Sequence, residues 1–261
     1  MGAQLVRYEI DEHGVAYVTL EDPDTRNALG DELLDALLGA LTDAKSDTAV
    51  RVVVLTSSHD RVFSSGGNLK AFASDEPTIA KYAGLDRFPR LYTLLSGLGK
   101  PVICAANGDV LAGAFGIALA CDLIIAKESA RFGCSEINVG AFPFMISALI
   151  YRSIGRMHAN ELMFMGDLIP AERGRELGFV NAVVSDGQFD ATVRDWAQRL
   201  AAKSPLLMQL GKNAIAATRD LPLEQALSAM QAQLALAFTT EDLVEGVTAF
   251  REKRAPNWTL R

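Results

Sequence analysis

Val50–Thr56 reads VRVVVLT, a nearly continuous β-branched run. A strand half-exposed to water alternates apolar and polar residues, so an unbroken run is expected of a strand buried on both faces. Pro101–Ala106 and Leu123–Ala126 are two further runs of this kind. Between them lie the Ser- and Gly-rich loop Ser57–Asn68, a helical stretch from about Thr78 to Leu98, and the small-residue segment Ala112–Ala120, which suits a tightly packed helix. Strand, glycine loop, helix and strand in repetition predict an α/β core with parallel strands.

The flanking segments complete the outline. Arg7–Ile10 and Val15–Leu20 are β-prone and joined by Asp11-Glu12-His13-Gly14, which predicts a hairpin. Asp31–Lys45 carries Leu33, Leu34, Leu37, Leu38 and Leu41 at helical spacing. From about Phe144 the pattern turns helical, with Ala191–Ala202, Leu206–Thr218, Pro222–Phe238 and Glu241–Arg251 as amphipathic helices, and Val180–Val184 is the last expected strand. The reading is an α/β body over residues 1–195 followed by a helical region over 196–261. The tail helices have apolar faces that need cover.

Composition narrows the function. The 261 residues are 49% hydrophobic and 22% charged, as in a soluble globular protein, and the net charge is -7. An acidic chain is not expected to bind nucleic acid, which needs a basic face. The most apolar stretch, Val110–Cys121, is too short to cross a bilayer. The N-terminus lacks a basic segment followed by an apolar one, so no signal peptide is expected and a cytoplasmic enzyme is. Cys104, Cys121 and Cys134 sit in apolar or Gly-rich surroundings and are expected to be buried free thiols. The histidines, His13, His59 and His158, are scattered, so no metal site is expected, and His13 and His59 read as exposed loop residues.

Common enzyme signatures are missing: G-x-S-x-G, the Walker A loop, H-E-x-x-H and the EF-hand loop do not occur, and Gly97-Leu98-Gly99 does not continue into a dinucleotide fingerprint. Two glycine loops remain. Phe63-Ser64-Ser65-Gly66-Gly67-Asn68-Leu69-Lys70 follows the first buried strand, and Asn107 to Gly116, with Gly108 and Gly113, follows the second. Each stands at the carboxyl end of a strand, where open α/β sheets bind ligands. Glycine lets backbone N–H groups approach a ligand closely. A helix N-terminus behind the loop adds a field that favours negative charge. Two such loops that converged could aim two amides at one oxygen; each alone is equally ordinary turn chemistry.

The chain resembles the crotonase (enoyl-CoA hydratase/isomerase) family along nearly its full length. Pro23 through Asn27-Ala28-Leu29 is similar to P-x-x-x-N-A-L, Phe63–Leu69 to F-S-A-G-A-D-L, and Lys100-Pro101-Val102 through Gly108 to K-P-V-I-A-A-I-N-G. Ala120-Cys121-Asp122 resembles A-C-D, and Phe132-Gly133-Cys134-Ser135-Glu136 resembles F-G-x-P-E. Gly166 through Val180, and Glu241-Asp242 through Phe250 and Lys253-Arg254, resemble later family segments. The resemblance implies a ββα superhelix core with a C-terminal helical trimerisation region, and an acyl-CoA thioester as substrate. It also implies a trimer or a dimer of trimers, and no cofactor beyond the coenzyme A of the substrate. By position, the amides of Gly67 and Gly113 would form an oxyanion hole and Glu136 would be the acid/base. Arg26, Ser65, Lys70, Phe250 and Lys253 would contact coenzyme A, the last two from a neighbouring subunit.

The chemistry explains those roles. Moving a proton next to a thioester, or adding water to the conjugated double bond, puts negative charge on the carbonyl oxygen. Two fixed N–H donors stabilise it, and losing one such donor costs about 3–4 kcal/mol. A carboxylate beside the α- or β-carbon moves the proton, and burial against Phe142 and Phe144 is expected to raise its pKa. The chain departs from the family at Gly116, where the hydratases carry a second glutamate. Ser135 and Asn68 also replace a Pro and an Asp. Asp109 is the nearest alternative carboxylate, although it also reads as a turn residue. One carboxylate suits double-bond isomerisation, while hydration usually wants a second group to hold water. An acyl-CoA-binding protein without turnover is the alternative that Gly116 permits.

Overall fold

Residues 4–68, 77, 79, 82 and 84–261 are described in a computed structural model of the chain. β1 (Val6–Ile10) and β2 (Val15–Leu20) form the antiparallel hairpin, and α1 (Asp31–Ser46) follows. The chain then repeats one motif three times: a long strand, a short strand, a helix. β3 (Val52–Ser57) and β4 (Val62–Ser64) lead to α2 (Arg87–Ser96). β5 (Val102–Ala106) and β6 (Asp109–Leu111) lead to α3 (Gly113–Ala120). β7 (Leu123–Lys127) and β8 (Arg131–Gly133) lead through a 3₁₀ turn, Ser135–Val139, to α4 (Phe144–Ser153). α5 (Arg156–Met165), β9 (Ile169–Pro170), α6 (Ala171–Glu176) and β10 (Ala182–Val184) complete the body.

The long strands form a six-stranded sheet, β1-β2-β3-β5-β7-β10, parallel except at the hairpin. The VVVL run explains its place near the middle. Val53 and Leu55 join a core with Leu33, Leu37 and Leu41 of α1. Val52 and Val54 point the other way, onto Ile103, Ala105 and Ile125 and the residues Phe189, Val193, Ala197 and Ala201 of α7 (Phe189–Ala201). Both faces of the strand are therefore dry, and each buried apolar side chain of this size contributes about 1.5–3 kcal/mol. The 195/196 division falls inside α7, a single helix that covers the second face of the sheet.

The remaining helices are α8 (Pro205–Thr218), α9 (Leu223–Ala237) and α10 (Glu241–Glu252), of which α8 is tied to the body by a buried lysine. Lys212 Nζ of α8 donates to Leu95 O (3.0 Å), Lys100 O (2.9 Å) and Asp122 Oδ2 (2.6 Å). That satisfies all three protons of the ammonium, which makes its burial tolerable. Asp242 of α10 accepts from Ser204 Oγ and from the amides of Thr259 and Leu260.

The short strands form a second sheet, β4-β6-β8-β9, in which β4, β6 and β8 are parallel neighbours. Val62–Ser64 and Asp109–Leu111, which fall within the two glycine loops expected from the sequence, are strands of this sheet. This sheet fixes the site, because the segments after its three parallel strands emerge side by side at one edge.

Candidate active site

Gly67 follows β4, Gly113 follows β6 and Glu136 follows β8. Adjacent strands stand about 4.8 Å apart, so the three exits are neighbours in space although far apart in sequence. The two glycine loops touch. A Cβ at Gly66 would lie 2.5 Å from the Ala112 Cβ and 2.7 Å from Leu111 O, and the residue has φ +86°. Only glycine fits both restrictions, so the first loop closes against the second.

Side chains hold the first loop from behind. Asn27 is fully buried with φ 51°. Its Nδ2 donates to Ser57 Oγ (2.7 Å) and Phe63 O (2.9 Å), and its Oδ1 accepts from Asp22 N (2.8 Å). Ser64 Oγ donates to Asn27 O and accepts from Gly66 N. Leu29 N donates to Gly66 O at 2.8 Å and Asn68 N donates to Leu29 O at 3.4 Å, which leaves the intervening Gly67 amide out of the ladder. The second loop turns at Ala112, with φ 52° and ψ -127°, directly before α3 begins at Gly113. The Ala112 amide is taken by Gly133 O, whereas the Gly113 amide has no partner among the described residues. It is one of the free N–H groups that every helix presents at its start.

Gly67, Gly113 and Glu136 line one cavity of about 290 Å³, walled by Phe88, Tyr92, Phe142 and Phe144. Phe142 packs against Phe144 (ring centroids 5.1 Å) and Phe164 (6.2 Å). Glu136 Oε2 is buried with no hydrogen-bond partner. Desolvation pushes the Glu136 carboxyl above its ordinary value, opposed by a hydrogen bond to its own backbone. Burial likewise raises the Tyr92 phenol and the Cys134 thiol, and the Glu136 charge adds to both. A buried carboxyl oxygen without a partner is costly in a purely structural role, and such groups concentrate where protons are moved.

The residues expected to contact coenzyme A are dispersed. Ser65 lies at the cavity wall. Arg26, with φ 59°, faces a separate polar cleft shared with His59, Arg61 and Arg131. Phe250 is 85% exposed at the end of α10, and Lys253 just beyond it is exposed too; neither lines the cavity within one chain. Lys70 lies outside the described residues. Asp109 is removed as a substitute acid, since Arg131 holds both its oxygens and it faces the Arg26 cleft rather than the cavity. His59 corrects the expectation of an exposed residue: its side chain is 17% exposed, and its Nδ1 accepts from Arg61 N. All three cysteines are free, with Cys104 and Cys134 buried and Cys121 partly so. Among the described residues, no group of three or more His, Cys, Asp or Glu could hold a metal ion, and no helix is long and apolar enough to cross a membrane.

Sequence reasoning missed Tyr92. Its hydroxyl donates to Gly113 O at 2.9 Å, and it stands over Gly116, where a Cβ would lie 2.7 Å from the phenol oxygen.

A buried carboxyl oxygen and two touching glycine loops thus meet at one cavity of a ββα core. Comparison with known proteins shows the family: the one described as enoyl-CoA hydratase/isomerase matches residues 11–261, and the chain belongs to it. It is 33% identical to the 2,3-dehydroadipyl-CoA hydratase of Escherichia coli over 248 residues, 95% of this chain and 96% of that protein. It is 31% identical to the crotonyl-CoA hydratase of Syntrophomonas wolfei, at 95% of both chains. Among solved structures, an enoyl-CoA hydratase of Mycobacterium smegmatis superposes with a TM-score of 0.94 at 30% identity, covering 97% of this chain and 98% of that one.

Proposed function

We propose that the chain turns over an enoyl-CoA thioester, by hydration or double-bond isomerisation. In this reading Gly67 and Gly113 donate their amides to the thioester oxygen, and Glu136 transfers the proton. The observation that carries it is the unpartnered, buried Glu136 oxygen at the wall of the cavity that both glycines line. As the proton leaves the α-carbon, charge grows on the carbonyl oxygen. Amides already in place stabilise it without reorganising, which is where most of the acceleration arises. A carboxyl whose pKa is raised by burial is a stronger base than an ordinary carboxylate, which suits it to take the proton and return it.

Gly116 brings no second carboxylate, and Asp109 is engaged elsewhere. One proton-transfer group on one face supports isomerisation, while the names of the relatives support hydration. A non-catalytic acyl-CoA binder has no support from those names. We also read the exposed Leu223, Leu227 and Phe250 as subunit contacts of a trimer or dimer of trimers, with Phe250 and Lys253 reaching a neighbour's coenzyme.

The test is absorbance at the enoyl thioester band after mixing with 2-enoyl-CoA and 3-enoyl-CoA esters, on protein whose mass is measured by sedimentation. Loss of the band with 2-enoyl esters marks hydration, and its gain with 3-enoyl esters marks isomerisation. Tight binding with no spectral change would overturn catalysis, and a fully active single chain would overturn the shared site.

A further inference from the structure

Where the family's hydratases would place a second glutamate, this chain has Gly116, and the space above it is filled. A Cβ there would stand 2.6 Å from Ile146 Cγ2 and 2.7 Å from both Cζ and the hydroxyl of Tyr92. No residue larger than glycine fits while Tyr92 keeps its place. Tyr92 belongs to α2, which turns Phe88, Leu91, Tyr92 and Leu95 inward at three- and four-residue spacing. The ring is 7% exposed and lines the cavity, and its hydroxyl donates to Gly113 O.

We propose that Tyr92 is a positioning residue for the Gly113 arm of the oxyanion hole, and that residue 116 is glycine in order to admit it. Gly113 is held from two sides. The phenol fixes its carbonyl, and the Phe88 ring lies 3.0 Å from where its Cβ would be. Gly113 is also the first residue of α3, and the peptide that carries its N–H is tied at its other end, where Phe115 N donates to Ala112 O at 2.8 Å. A hydrogen bond to its carbonyl limits rotation about the residue, and with it the direction of its N–H. Because the only phenol proton goes to Gly113 O, the hydroxyl meets the cavity with lone pairs alone and has no proton to give to substrate. Tyr92 thus acts through Gly113. The inference rests on the proposed oxyanion hole.

The measurement is the infrared carbonyl stretch of a bound saturated acyl-CoA, which reports polarisation without turnover, together with enoyl-CoA kinetics. In the unaltered enzyme the stretch shifts to lower frequency on binding; an absent shift there would defeat the oxyanion hole and with it the role of Tyr92, whereas a shift that persists in the Tyr92 variant defeats the role of Tyr92 alone. Tyr92→Phe keeps the ring and removes one hydrogen bond. It is expected to reduce the shift and lower kcat about tenfold, with KM and the pH profile nearly unchanged. Gly116→Ala, which leaves Tyr92 in the chain but displaces it, is expected to give the same defect, and the double variant no more than either alone. A normal carbonyl shift and normal kcat in folded Tyr92→Phe would overturn the proposal. So would a changed pH profile, which would make the phenol a proton carrier, or additive losses in the double variant.

Discussion

The two arms of the glycine site are built in opposite ways. The Gly67 arm is held by buried polar side chains: Asn27 bridges Asp22, Ser57 and Phe63, and Ser64 links Asn27 to Gly66. Among the described residues the Gly113 arm has no such network. It rests on a strained turn at Ala112, on the Phe88 and Tyr92 rings, and on the start of α3. A hydrogen-bonded loop is costly to open, because each broken bond strands a buried partner. A strained turn stores energy that only the surrounding packing restrains. One arm therefore draws its precision from satisfied polar groups, and the other from packing that holds a backbone in a conformation it would otherwise leave.

Glu136 belongs to neither arm, and its substitution separates function from stability most sharply. Glu136→Gln is expected to lower turnover by about 10²–10⁴ while acyl-CoA affinity changes little, as read by the enoyl absorbance assay and by calorimetric titration. Stability should move the other way. The folded pKa of Glu136 is raised by burial, so the folded state binds the proton more tightly than the unfolded chain does. The carboxyl costs nothing below its unfolded pKa. Its cost grows as pH rises from there through the raised folded value, and is constant above. Denaturation midpoints of the Gln variant and the parent should therefore agree in acid and diverge towards neutral pH, with the variant more stable. A parent equally stable at neutral pH would mean that the carboxyl finds a partner in solution and is not the poised base.

How much of this was legible in the sequence follows from what each residue needs around it. β3, β5 and β7 lie within a residue or two of their expected limits, because unbroken β-branched runs name themselves. The helices after residue 189 are as clear, because their apolar faces repeat at helical spacing. The second sheet was not legible. Its strands have two or three residues, and Phe63-Ser64 and Phe132-Gly133 look like turns until the partner strands are known. Gly67, Gly113 and Glu136 were found through the family motifs, and the small sheet supplies the physical reason that three distant motifs meet. Tyr92 left no mark. It reads as one more apolar position on α2, and its meaning depends on a glycine in another helix.

The next effect in size probes the polar arm. Asn27→Ala removes an acceptor from Asp22 N and a donor from Ser57 Oγ and Phe63 O, all at a fully buried position. The expected loss is about 2–4 kcal/mol in urea unfolding. Turnover should fall as well, since Ser64 and the Gly66 turn lose their anchor. Unchanged stability would show that water replaces the side chain and that the first arm is not held as described.

The smallest expected effect tests the strained arm and has the opposite sign. Ala112 sits at φ 52° and ψ -127°, outside the regions that residues with a Cβ favour. Conformations of this kind cost about 1–3 kcal/mol. Glycine would adopt the same turn freely, while adding about 0.5–1 kcal/mol of unfolded-chain entropy. Ala112→Gly should therefore stabilise the protein by about 1 kcal/mol. Its turnover should drop modestly, because the turn before Gly113 loses the stiffness that aims the amide. The pair of variants then forms a signed test: cutting the first arm loosens the fold, whereas relaxing the second tightens it. If Ala112→Gly were as destabilising as Asn27→Ala, the contrast between the arms would fail, and the methyl group of Ala112, pressed against Gly66, would have to be counted as packing that outweighs the strain.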